Sequence, residues 1–236
     1  MVQRISRAIQ ERWPKIPLYD IRGPRIMRTQ EEFDNLLIPA NHPQRASRKI
    51  RYLSDNRLLR SHMTPLLGRA VNIIHDQGLE QATFLMPGIC YLRTLPAPER
   101  ISEPHKLDIW LFQSPPISQQ SESTLLEEVE VILQGIFQEK HWRSRAHPKV
   151  HPYTAPGFSI EVSLQPGLWI KMLECGQASA ALLQKQGIDP RQFRVSAFGL
   201  GLERCVMAVK ELNDIRLLRH PSLILPPFFR HREEKP

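Results

Sequence analysis

Ser196 to Val209 reads SAFGLGLERCVMAV, and its residue types could do phosphate chemistry. Gly199 and Gly201 stand two apart and are followed by Glu203 and Arg204 inside an otherwise apolar run. A plain core strand or helix gains nothing from two glycines, and charges are costly to bury unpaired. A strand that ends in Gly-x-Gly and enters a helix has a use for both features. The helix N-terminus presents unsatisfied N–H groups and positive dipole to an anion. The glycines admit a ligand close to the backbone, and Arg204 in the first turn adds a fixed cation. The same residue types fit a packing glycine pair beside a surface arginine equally well.

Other reactive residues form no comparable pattern. Cys90, Cys175 and Cys205 are far apart and none lies in a CxxC pair, which predicts buried free thiols rather than a zinc site or a disulfide. His75, His141 and His147 lack metal-ligand spacing, so no metal site is assigned. His42, in Asn-His-Pro, reads as a turn residue, and no base is indicated for Ser61 or Ser196 as a nucleophile.

The elements that must position the glycine turn are legible in outline. Lys and Arg number 32 against 24 Asp and Glu, a net charge of +8 that fits an anionic partner or a merely basic surface. No run approaches the roughly 20 apolar residues of a membrane helix. The start, MVQRISRAIQERW, has no apolar signal core, so a cytoplasmic protein without a membrane span is expected. Residues 1–20 read as an N-terminal helical arm and 21–236 as one main domain. Helical spacing of Leu66, Leu67, Ala70, Val71 and Ile74 predicts a helix over 58–79. ATFLMPGICYL reads as strand, turn, strand about Pro87-Gly88, and PHKLDIWLF alternates as a half-buried strand does. A Pro/Ser/Gln loop over 113–123 leads into a helix from about Thr124 to Glu139, and HWRSRAHPKVHPYTAPG reads as irregular. FSIEVSL and GLWIKMLEC read as strands, SAALLQKQGID as a helix closed by Gly187, and the opening segment as a strand turning into a helix. Such strand runs between long helices predict an α+β fold with an antiparallel sheet.

GIDPRQFRVSAFGLGLERCVMAVKELNDIRLL resembles motif 3 of the class II aminoacyl-tRNA synthetases, and most closely that of the phenylalanyl-tRNA synthetase α subunit. GPRIMRTQEEFDNLLIPANHPQR, LLRSHMTPLL, HPYTAPGFSIEV and LWIKMLECG resemble further segments of that family in the same order, over residues 20–228. The resemblance implies a class II synthetase core, an antiparallel sheet of about six or seven strands flanked by helices. It implies a homodimer through the motif 1 region around Pro24, and ATP and tRNA or another carrier as partners. Within the resemblance Arg204 meets the γ-phosphate and Ala197 floors the amino-acid pocket. Gly199, Gly201, Glu203, His105 and Asp108 complete the ATP positions, and His62 and Thr64 face the amino acid. The family's N-terminal coiled-coil arm has no counterpart in this sequence.

The departures from the family pattern are specific. In PGICYLRTLPAPERISEPHKLDIW a gap-free fit puts Leu92 at the position of the α-phosphate arginine and Arg93 one residue late. A one-residue offset faces the other side of a strand, so Arg93 serves as that arginine only if a bulge corrects the register. Family glutamates become Thr94, Ala155 and Lys171, leaving acids at Asp108 and Glu203; magnesium, a hard cation, therefore loses oxygen ligands. Lys171 becomes a point charge available to phosphate. The adenine-stacking aromatic becomes Pro104. In the amino-acid pocket two phenylalanines become His151 and Tyr153, and a glutamine becomes Lys106, which favours a ligand more polar or anionic than phenylalanine. Ser61 to Thr64 also resemble the phosphoserine-binding stretch of O-phosphoseryl-tRNA synthetase. A pocket released from selection would drift in the same way. Two functions follow: ATP-dependent activation of a polar amino acid for tRNA or another carrier, or a synthetase paralogue that binds a ligand, tRNA or protein without adenylating.

Overall fold

The computed structural model describes residues 1–53, 56–98, 100–114 and 122–219. In chain order the elements are α1 (Val2–Arg12), β1 (Leu18–Asp20), β2 (Ile26–Arg28), α2 (Thr29–Glu32), β3 (Arg57–Leu59), α3 (Leu67–Gln77), β4 (Gln81–Ile89) and β5 (His105–Gln113). There follow α4 (Glu122–Phe137), β6 (Arg143–Pro148), β7 (Thr154–Gln165), β8 (Leu168–Ala178), α5 (Ala180–Lys185), β9 (Arg194–Gly201) and α6 (Leu202–Val209). Seven strands form one sheet in the order β1-β4-β5-β9-β8-β7-β6, and β2 and β3 make a separate antiparallel pair. Only the β1–β4 pairing in the large sheet is parallel.

Alternation along the central strands sends apolar side chains to both faces, so the sheet is buried on both sides. Ala82, Phe84, Phe112 and Val195 pack with Ala70, Val71 and Ile74 of α3 and Leu182 and Leu183 of α5. Leu85, Ile109, Phe198 and Leu200 face the other core, with Val129, Ile132, Leu133 and Ile136 of α4. The N-terminal helix packs into that second core. Ile5 and Ile9, one turn apart, are buried in it, and α1 approaches α4 so closely that a Cβ on Gly135 would lie 2.9 Å from Ile5 Cα.

Three local expectations are corrected. The helix over 58–79 begins only at Leu67, because Arg57–Leu59 pairs with β2 and Pro65 sits in a short 3-10 turn. Pro87-Gly88 makes no turn; β4 runs through it to Ile89. The N–H groups of this strand that face β1 belong to odd-numbered residues, as Thr83 N–H donating to Pro17 shows. Pairing with β1 stops at Leu85, so Pro87 lacks its N–H where no neighbour needs it. The stretch expected to be irregular contains edge strand β6, with Arg143, Arg145 and His147 exposed and Ser144 and Ala146 half-buried. Most of the expected 113–123 loop, and the resemblance beyond residue 219, lie outside the described residues.

Candidate functional site

Helices cover the α3 face of the sheet only as far as Trp110 and Ala197. Beyond them a cavity of about 370 Å³ opens over β5, β8 and β9. Directly paired residues of antiparallel strands share a face. The register therefore sets Lys106 beside Gly201, Asp108 beside Gly199 and Trp110 beside Ala197. On the other side of β9, Glu174 pairs with Gly199 and Gly176 with Ala197.

The two glycines of β9 leave this floor bare. A Cβ on Gly199 would meet only Asp108 Oδ1 at 3.6 Å, and one on Gly201 only Arg204 Cβ at 4.0 Å. Gly201 has φ −93° and ψ 113°, open to any L-residue. Among the described residues, neither packing nor backbone geometry requires these glycines. The paired glycines of β7 and β8 differ. A Cβ on Gly176 would lie 2.6 Å from Thr154 Cβ, and one on Gly157 2.6 Å from the Lys149 carbonyl oxygen. These two let the 149–157 segment lie against β8, bringing His151 and Tyr153 to the cavity wall.

Four carboxylates organise the site. Glu32 is fully buried and accepts from Ser61 N–H and Ser61 Oγ at 2.6 Å each and pairs with His62 Nδ1 at 2.9 Å. Burial alone would push this carboxyl up; the His62 charge and the three hydrogen bonds outweigh it and hold it below the usual range. Asp108 is pushed up by burial, against the Thr64 Oγ1–H donated to its Oδ2 at 2.7 Å and nearby cations. Tyr153 also meets Thr64, and burial raises its phenol. Glu174 faces His151 Nε2 at 2.9 Å and accepts from Lys171 Nζ, with Lys149 Nζ at 3.9 Å. The His151 hydrogen bond, followed by Lys171, outweighs burial and pulls Glu174 down to about 2. Glu203 accepts His105 N–H on both oxygens at 2.9 Å and faces His105 Nδ1 at 2.6 Å.

Of the residues expected at the site, His62, Thr64, Lys106, Asp108, His151 and Tyr153 line the cavity. So do Lys171, Ala197, Gly199, Gly201, Glu203 and Arg204, whose Nη1 donates to the Lys171 carbonyl at 3.2 Å. Two do not. His105 is exposed and reaches the site only through Glu203. Arg93 is exposed and donates to the Ser47 carbonyl at 3.2 Å. The bulge needed to turn it inward is absent: Cys90 N–H donates to Pro104 and Leu92 N–H to Ser102, which continues the β4–β5 register unchanged. Leu92 lines the cavity instead, so the expectation that Arg93 grips the α-phosphate is corrected.

Sequence reasoning missed Glu32, Arg100 and Glu174. Arg100 lines the cavity from a tight Ala97–Arg100 bridge that carries no sequence signature. Strand alternation separates Lys171 and Glu174, three apart. A register shift opposite Ile160 and Glu161 makes Met172 an extra residue and returns both to one face. The three cysteines are buried and free, with burial raising each thiol to about 12.

A family model described as tRNA synthetases class II core domain (F) matches residues 1–225. The phenylalanine–tRNA ligase alpha subunit of Coxiella burnetii is 28% identical over 218 residues, covering 92% of this chain and 63% of the relative. That of Acinetobacter baumannii is 28% identical over 224 residues, covering 92% and 62%. The chain thus spans a little under two thirds of these relatives' length. Among solved structures, pyrrolysyl-tRNA synthetase from Desulfitobacterium hafniense superposes with a TM-score of 0.67 at 15% identity, over 91% of this chain and 70% of that one. The seven-stranded sheet flanked by helices, the segments in family order and the match over almost the whole length agree: the chain belongs to the class II aminoacyl-tRNA synthetase core family and is related to phenylalanine–tRNA ligase alpha subunits.

Proposed function

We propose that the cavity binds ATP and a polar amino acid and joins them as an aminoacyl adenylate for transfer to tRNA or another carrier. The observation that carries this reading is the bare floor of Ala197, Gly199 and Gly201 facing Arg100, Lys106, Lys171 and Arg204. In the reaction a carboxylate oxygen of the amino acid attacks the α-phosphorus and pyrophosphate leaves. Such a step depends on positioning and on stabilising phosphate charge more than on side-chain acid–base chemistry. Arg204, at the start of α6, is the γ-phosphate contact, and Gly199 and Gly201 admit the nucleotide to the backbone. The amino acid sits among His62, Thr64, Lys106, His151 and Tyr153, each of which carries a hydrogen-bonding group. Glu32 fixes His62, Asp108 fixes Thr64, and Glu174 fixes His151. The net charge of +8 suits an RNA carrier, and no described helix is long and apolar enough to cross a membrane. A cytoplasmic homodimer joined near Pro24 completes the reading. There Arg60 donates to the Gly23, Pro24 and Ile89 carbonyls and ties that segment to the sheet.

Mg2+, which the family generally uses with ATP, does not fit the donors present. Among the described residues the cavity acids are Asp108, Glu174 and Glu203. Each already accepts from Thr64, from Lys171 and His151, or from His105. No group of three metal-binding side chains occurs among the described residues.

The outward placement of Arg93 favours a second reading, a paralogue that binds these ligands as a regulatory or accessory subunit without adenylating. Amino-acid-dependent ATP–pyrophosphate exchange separates the two, run with the common amino acids and phosphoserine, with and without total tRNA. Exchange with one amino acid, abolished by Arg204→Ala, establishes adenylation. Absence of exchange by folded protein overturns adenylation and turns the search to what the protein binds.

A further inference from the structure

Among the described residues, the cavity holds more fixed cations than acids. Arg100, Lys106, Lys171 and Arg204 line it, against Asp108, Glu174 and Glu203, all three of them engaged. A divalent cation needs anionic oxygens to hold it, and an incoming metal would have to displace Lys171 and His151 from Glu174, or His105 from Glu203. Lys171 is differently placed. It is 40% exposed, and the β8 bulge puts it on the cavity face. The neighbouring Arg204 bonds its backbone carbonyl. One of its three ammonium hydrogens goes to Glu174, which leaves two for phosphate oxygens. Glu174 in turn keeps the ammonium aimed through a charge-assisted hydrogen bond.

We infer that this cleft holds the polyphosphate of its nucleotide with side-chain cations alone, Lys171 occupying the place of a protein-held divalent ion. The inference rests on the nucleotide-binding reading above. It has a consequence of definite sign. Free ATP carries more negative charge than its magnesium complex, so a site built of cations and offering the metal no ligand attracts the free form at least as strongly.

Equilibrium binding of ATP to the full chain, by calorimetry, tests it in excess Mg2+ and in EDTA at matched ionic strength. The expected result is binding in EDTA equal to or tighter than in Mg2+. Lys171→Met then weakens EDTA binding about tenfold, the loss of one close charge contact. Lys171→Glu reverses the preference, so that ATP binds better with Mg2+. Thermal unfolding of each variant reports whether it has folded, and the wild-type comparison stands without either variant. Binding of wild type at least tenfold weaker in EDTA overturns the inference and leaves the nucleotide site intact. Absence of ATP binding in both buffers overturns the nucleotide-binding reading, and the inference with it.

Discussion

The two ends of β9 are built on opposite plans. At its start Arg194 is 3% exposed and forms an ion pair with Glu128 of α4, while its Nη1 also donates to Gln113 Oε1 at 2.6 Å. Ser196, two residues on, is fully buried. At its end Gly199 and Gly201 meet almost nothing among the described residues, and the cations around them belong to exposed or half-buried side chains such as Lys171. One strand thus spends its first half locking the sheet to α4 and its second half keeping a floor clear. The glycines repeat the lesson: Gly157 and Gly176 are glycine because neighbours leave no room, Gly199 and Gly201 although neighbours leave ample room. Close packing explains the first pair; for the second, no described neighbour supplies a packing reason, and the proposed nucleotide would supply one.

That contrast is open to attack at each point. Glu128→Ala leaves Arg194 buried and unpaired and is expected to cost about 3–5 kcal/mol, read by urea unfolding, with ATP affinity of the remaining folded protein unchanged. Gly176→Ala forces a methyl against Thr154 and costs about 1–3 kcal/mol in the same measurement. Glu174→Gln acts through pH. The Glu174 carboxyl is held near 2, below its ordinary 4.5, so its ion pairs contribute stability that is full above pH 4.5 and is lost as pH falls toward 2. With the side chain 34% exposed, that contribution is about 1 kcal/mol after screening. The variant is expected to lack this part of the acid dependence in unfolding followed from pH 6 to pH 2. Gly199→Ala changes stability least, by less than about 0.5 kcal/mol, while weakening ATP binding.

Much of this was legible in the sequence. The strand-to-helix turn at Gly201, the family resemblance and the α+β class all follow from local pattern, because period-two alternation and Gly-x-Gly are local signals. What escaped depends on distant partners. The continuity of β4 through Pro87 depends on where β1 stops. The meeting of Lys171 and Glu174 depends on a bulge against β7. Glu32 reaches Ser61 and His62 from 29 and 30 residues away, and nothing in GlnGluGluPhe marks it. Arg93 was the instructive case: the gap-free register was readable, and the structure kept it, leaving the arginine outside.

The most direct test of the central claim is Gly201→Val, with thermal unfolding and ATP affinity measured on the same preparation. Its backbone already suits valine, and the nearest atom to the new Cβ is 4.0 Å away. The expected result is a melting temperature within about 2 °C of wild type, less than 1 kcal/mol, and ATP affinity reduced at least tenfold. A variant that loses stability yet binds ATP as wild type does would contradict it, for the glycine would then serve the fold and not a ligand.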